Sequence, residues 1–244
     1  ATFGLFFANT SELTEKNAVL TAVTDESGVF VFNNIPYGEY LIKELKPTEG
    51  YLDNEDVFTV TIKDNEQVVE LTAINDKVPE LKTTATVNGK KEVIAKGEIS
   101  IKDTVEYKHL VLNTEYVIKG TLIDKSTGKQ FKVKGKEITS TVKFVPDKAD
   151  GKVEVTFTFD GSAIKKDTEL VVFETLYRDG VELTTHADIN DDGQTVTIKP
   201  YIPHNPKTGD EMNIGTWIGL GGVGLGAAVA ILVLKLKMRK DEDE

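Results

Sequence analysis

Leu170-Val171-Val172-Phe173-Glu174-Thr175-Leu176-Tyr177 is apolar on both of the faces that two-residue alternation gives it. Such a run reads as a strand buried on both sides. Outward from it, the chain up to residue 200 repeats one pattern: short β-branched and aromatic runs separated by Gly, Asn and Asp, with no helical period. That pattern predicts all-β sandwiches. A composition shift at Asp76-Lys77-Val78-Pro79-Glu80 divides it into a domain of residues 1–78 and a second of residues 79–200. A linker of residues 201–213 follows, introduced by Pro200 and spaced by Pro203 and Pro206, which favours extended backbone.

Residues 214–234 form an uncharged apolar run, followed by Lys235, Lys237, Arg239 and Lys240 in a tail of residues 235–244. At about 1.5 Å per residue, a helix here covers the ~30 Å of a bilayer's hydrocarbon core. A transmembrane α-helix is therefore expected, with its basic end in the cytoplasm and everything before residue 214 outside. The chain has no cysteine, so neither disulfides nor thiolate metal sites hold it together, and a covalent staple must use other side chains. With 40 acidic against 29 basic residues, the net charge of -11 excludes a nucleic-acid partner. No phosphate loop, nucleophile elbow or His-Glu-x-x-His helix is present, and no cofactor or metal site is expected. The chain opens at Ala1 inside an apolar, strand-like run without a signal peptide, and reads as the C-terminal part of a longer precursor.

Alternation assigns several polar side chains to core faces. Thr83 shares a face with Leu81, Ala85 and Val87, Gln194 with Val196 and Ile198, and Glu174 with Val172 and Leu176. Thr195, Thr197 and Lys199 are expected to face away. A carboxyl flanked as Glu174 is should lose hydration, which favours its neutral form and suits a proton donor. His186, Asp188, Asp191, Asp192 and Gln194 place a base, acids and an amide within one short segment. In the first domain, Glu44 shares a face with Tyr40 and Ile42, and Asn75 with Val69, Leu71 and Ala73. Both would be costly to bury without partners.

Three resemblances follow from these residues. The Thr83-Thr84-Ala85 strand, the Val171-to-Glu174 strand and the His186-x-Asp188-x-x-Asp191-x-x-Gln194 ending resemble the Thr-Gln ester-bond domains of surface-anchored proteins. That resemblance implies a self-formed Thr83–Gln194 ester: His186 oriented by Asp191 as base, and neutral Glu174 hydrogen-bonded to the Gln194 carbonyl while helping to expel ammonia. The alternative is a plain polar cluster on a loop. Ala1-Thr-Phe-Gly-Leu-Phe6, Thr24-Asp-Glu-Ser-Gly28, Ile35-Pro-Tyr-Gly38 and Lys43-Glu44-Leu-Lys-Pro47 resemble the prealbumin-like B-type domains of collagen adhesins and pilins. Members often join a first-strand lysine to a last-strand asparagine; here Asn75 and the assisting Glu44 correspond, while the lysine would precede Ala1. The alternative is a capped carboxylate in an uncrosslinked sandwich.

Asn205-Pro206-Lys207-Thr208-Gly209, the apolar run and the basic tail resemble a Gram-positive cell-wall sorting signal. Sortase would cut between Thr208 and Gly209 and pass the Thr208 carboxyl to a peptidoglycan or pilin amine, so the membrane is a partner only before sorting. Asn205 stands where Leu is commonest, which leaves the sortase class open, and a permanent single-pass anchor is the alternative. Together the readings imply two tandem immunoglobulin-like or prealbumin-like β-sandwich domains and one C-terminal helix in an extracellular, wall-anchored adhesin or pilus-associated stalk. Its only chemistry would be a single-turnover crosslink, and any host or matrix ligand would be held by upstream domains. A wall-anchored exoenzyme, with its catalytic domain before residue 1 and these modules as spacer, is the second possibility.

Overall fold

The computed structural model describes residues 1–203. Asn205, Pro206, Lys207, Thr208, Gly209, the apolar run of residues 214–234 and the basic tail lie outside the described residues. Among the described residues no helix is long and apolar enough to cross a membrane. The described chain is all-β, with only two 3-10 turns, Glu15–Asn17 and Gly161–Ala163.

Four strands, β1 (Thr2–Phe7), β2 (Leu20–Val23), β3 (Gly38–Lys46) and β4 (Val57–Ile62), form one antiparallel sheet in the order β2-β1-β3-β4. Its buried face carries Phe3, Leu5, Tyr40, Ile42 and Val60. Phe30, Phe32, Ile35 and Ala73 pack against that face from segments that are not strands, Phe30 stacking on Phe3 at 4.5 Å between ring centroids. The alternation from Val69 to Asn75 predicts a strand that does not form. Gln67 takes over nearby main-chain groups instead: its carbonyl accepts from Lys63 N and Asp64 N, and its amide donates to Thr61 O. Val69 and Leu71 are left exposed, while Ala73 reaches the core. The first sandwich is thus one sheet covered by extended chain, not two laddered sheets.

Twelve strands follow: β5 (Glu80–Val87), β6 (Glu92–Ala95), β7 (Glu98–Lys108), β8 (Tyr116–Asp124), β9 (Lys129–Gln130), β10 (Lys132–Val133), β11 (Lys136–Glu137), β12 (Thr139–Phe144), β13 (Gly151–Asp160), β14 (Thr168–Arg178), β15 (Val181–His186) and β16 (Thr195–Pro200). One sheet runs β12-β8-β14-β16-β6, with β15 also on β14 and β9 on β8; the other runs β13-β7-β5, and β10 pairs β11. Both sheets contribute to one core that includes Ala85, Ile101, Val105, Phe157, Leu170, Leu176 and Ile198.

The strand β14, apolar on both faces in sequence, is the centre of the larger sheet. One edge pairs with β8 along its length. Its other edge is divided: residues 168–171 pair with β16 and residues 174–178 with β15. In the gap between them Val172 N donates to Gln194 O at 3.0 Å. The segment between β15 and β16 therefore enters the sheet at the break, and β5 meets it there, Ala85 N donating to Gly193 O at 2.9 Å. A polar cluster is assembled at this break.

Candidate functional site

Thr83 lies on β5 and is buried together with Ala85 and Val87, as the alternation predicts. Its Oγ1 is 3.3 Å from His186 Nδ1. His186 ends β15 and sits opposite Glu174 in the β14 ladder. Its Nε2 faces Asp191 Oδ2 at 3.5 Å. A proton held on Nε2 toward that carboxylate leaves Nδ1 as an acceptor, the tautomer needed to take the Thr83 hydroxyl proton. Asp191 is fixed in turn: its Oδ1 accepts from Gly193 N at 2.6 Å and its main-chain carbonyl accepts from Thr195 Oγ1 at 2.7 Å. Thr195, expected to face away, is buried because its hydroxyl makes this bond.

Gln194 is completely buried, at 0% exposure. Its Nε2 donates to Val172 O at 2.6 Å, to His186 O at 3.1 Å and to Glu174 Oε2 at 3.3 Å. Its Oε1 accepts from the Asp188 main-chain amide at 3.4 Å. This corrects the expected arrangement, because Glu174 faces the amide nitrogen and not the carbonyl. The Asp188 side chain turns away, its Oδ1 accepting from Asn190 N as a turn carboxylate does. Only the Asp188 main chain belongs to the site.

Glu174 is also at 0% exposure. Burial pushes its pKa far above the ordinary glutamate range, and Asp103 beside it adds to the rise while hydrogen bonds with Gln194 and Thr83 oppose it. Asp103, on β7 and equally buried, is raised by burial as well. Among the described residues no well-aligned donor reaches either Asp103 oxygen or Glu174 Oε1, the Thr84 main-chain amide being the least of the influences on Asp103. The two carboxyls are mutual hydrogen-bond partners, so a proton held between them satisfies the pair. A neutral acid thus sits within reach of the amide nitrogen. Among the described residues no group of three His, Asp or Glu converges in an arrangement that would hold a metal ion.

The family model for a T-Q ester bond containing domain aligns with residues 79–198, and that for a prealbumin-like fold domain with residues 1–77. The chain carries these two domains, in this order. Solved structures that the chain matches include a bacterial adhesin from Mobiluncus mulieris containing intramolecular disulfide, isopeptide and ester bond cross-links. It is 20% identical with a TM-score of 0.44, over 51% of this chain and 58% of that one. The major pilin subunit of Bacillus cereus is 14% identical with a TM-score of 0.43, over 82% and 64%. The full-length major pilin SpaD from Corynebacterium diphtheriae is 14% identical with a TM-score of 0.32, over 82% and 59%. The chain spans less than two thirds of the length of each. No curated protein matches the sequence.

In the T-Q domain, two residues of the cluster go beyond those singled out from sequence. Asp103 shares the β7 alternation with Ile99, Ile101, Val105 and Tyr107, so a lone carboxylate in an apolar stripe was there to be read. Lys91, whose ammonium donates to Gly193 O at 2.5 Å, left no such signal. His109 lies apart from the cluster, at the end of β7 with φ 65.

The prealbumin-like domain brings Glu44 and Asn75 together. Glu44 is nearly buried on β3; its Oε1 accepts from Asn75 Nδ2 at 2.6 Å and its Oε2 from Asn54 N at 3.2 Å. Asn54 closes the triangle by donating to Asn75 Oδ1 at 3.1 Å.

Proposed function

We propose that this chain is the crosslinked, surface-displayed stalk of a wall-anchored adhesin or pilus-associated protein, whose T-Q domain closes an ester between Thr83 and Gln194. One observation carries the reading: a buried hydroxyl lies 3.3 Å from a base, and a buried amide lies 3.3 Å from a carboxyl whose pKa burial raises. His186 Nδ1 takes the Thr83 proton as Oγ1 attacks Cδ of Gln194, and charge growing on Oε1 faces the Asp188 amide. As the Cδ–Nε2 bond breaks, the nitrogen takes the proton of the Asp103–Glu174 pair and leaves as ammonia. The proton held on His186 then restores the pair. One O–C bond forms, one C–N bond breaks, and each domain reacts once.

The packed core keeps the reactants at high effective concentration, which compensates for a poor nucleophile and a poor leaving group. Glu44 and Asn75 in the prealbumin-like domain offer the acid and the amide of a second, isopeptide crosslink to a lysine upstream of Ala1. Sorting at Thr208–Gly209 by sortase onto a peptidoglycan or pilin amine completes the reading, with any host ligand bound upstream and the membrane occupied only before sorting. Intact mass under denaturing conditions tests the central claim. The wild-type chain should be lighter than its sequence by one ammonia, while Thr83→Ala and Gln194→Ala should each carry their full masses. Full mass in all three would reduce the cluster to a structural polar network.

A further inference from the structure

Lys91 lies just ahead of β6, far in sequence from the residues it serves, and its main-chain carbonyl accepts from Thr197 N at 2.7 Å, tying it to β16. Although much of the side chain is exposed, its ammonium is set against the carbonyl of Gly193, which also accepts from Ala85 N. That carbonyl belongs to the Gly193–Gln194 peptide. Two donors, one from the strand of the nucleophile and one from Lys91, therefore hold the residue that bears the electrophile. The charged groups around the ammonium are Asp103 on β7 and Asp191 and Asp192 in the segment before β16. All three are acidic.

We propose that Lys91 is a positioning residue for the Thr83–Gln194 crosslink: it holds the Gly193–Gln194 peptide against β5, and its charge keeps the shared proton on Glu174 by favouring ionised Asp103. The inference rests on the ester reading. Lys91 attracts the charged form of Asp103, which is one of the influences opposing that carboxyl's upward shift, whereas Glu174 feels no comparable pull from it. Of the two buried carboxyls, the one touching the Gln194 nitrogen thus keeps the proton.

The test is the rate at which newly translated full chain loses ammonia, read by intact mass after acid quenching at intervals over a range of pH, for wild type, Lys91→Met, Lys91→Gln and Lys91→Arg. Lys91→Met should be slower by about tenfold or more, and Lys91→Arg should recover most of the rate. Lys91→Gln can still donate to the Gly193 carbonyl but carries no charge. Its acid limb should move to higher pH, because carboxyls without a neighbouring cation ionise later. Wild-type rate and an unchanged pH profile in both Lys91→Met and Lys91→Gln would overturn the proposal. Thermal melts of each variant in a Thr83→Ala background separate a folding defect from a slow reaction. If Lys91→Met fails to fold there, Lys91→Gln against Lys91→Arg decides. A wild-type chain with no ammonia loss would instead overturn the ester itself, and this proposal with it.

Discussion

Glu174 is a carboxylic acid held neutral at physiological pH, and that has a measurable sign. Its folded pKa is raised above the ordinary value of 4.5, so the folded state binds a proton that the unfolded chain gives up. Stability from this group is complete below pH 4.5 and is lost as pH climbs toward the raised value. In the uncrosslinked Thr83→Ala variant, chemical denaturation should show lower stability at pH 8 than at pH 5, by up to about 1.4 kcal/mol per pH unit. Adding Glu174→Gln should flatten that slope; an unchanged slope would show the carboxyl to be ionised. Exposed carboxylates such as Glu80 and Glu106, held low by Lys108 and Lys152, would protonate only below this window. For the base, His186→Ala should abolish ammonia loss and Asp191→Asn should slow it by about 10–100-fold, followed by mass against time. Thr83, Glu174 and Gln194 were legible because each interrupts an apolar face with one polar group. Asp103 does the same on β7, yet it stands outside the motif-bearing strands. Lys91 works through a main-chain carbonyl, and no side-chain pattern encodes that.

At the scale of elements, the divided edge of β14 is what makes the site. A continuous neighbour along that edge would leave no room for the Gln194 side chain, which instead spends its amide on Val172 O where the ladder is interrupted. The approach there is close: a Cβ on Gly193 would lie 2.8 Å from Asp191 Oδ1 and 3.2 Å from Thr83 O. Gly193→Ala should therefore both destabilise the uncrosslinked domain by about 1–3 kcal/mol and slow ester closure, measured by denaturation in a Thr83→Ala background and by intact mass. Alternation located β5, β14 and β16 and the inward faces of each, Thr195 on β16 excepted. It failed for residues 69–75, where the apolar–polar pattern is present but the Gln67 amide takes up main-chain groups nearby. It also carried no information on where β14 exchanges one neighbour for the other, because pairing partners far apart in sequence are chosen by the assembled sheet.

For the whole molecule, the two matched domains meet at a tied junction. Asp76 accepts from Arg178 at 2.6 Å and its carbonyl accepts from Leu52 N, while Tyr51 pairs with Lys77. Within the T-Q domain the proposed ester closes a loop of roughly 110 residues, for which the chain-entropy model gives about 4–5 kcal/mol. Thr83→Ala should lower unfolding free energy by that order and shorten survival under protease. The tandem all-β plan was readable from turn spacing and alternation, whereas the proposed crosslinks were implied only by the resemblance to ester-bond and pilin domains. What alternation could not give was the covering of the first sheet, since extended chain without a ladder has no period of its own. Thr83 lies three residues into its first strand from Glu80, and Gln194 immediately precedes the last strand. With the proposed ester closed, nearly the whole domain would hang from it as a side loop, outside the line of pull. Stretched from its ends, the Thr83→Ala chain should yield about 370 Å of new contour length at one unfolding step, at ~3.4 Å per residue. The crosslinked chain should yield almost none, which would make such a domain a rung of fixed length that keeps whatever is joined to its two ends at a constant separation.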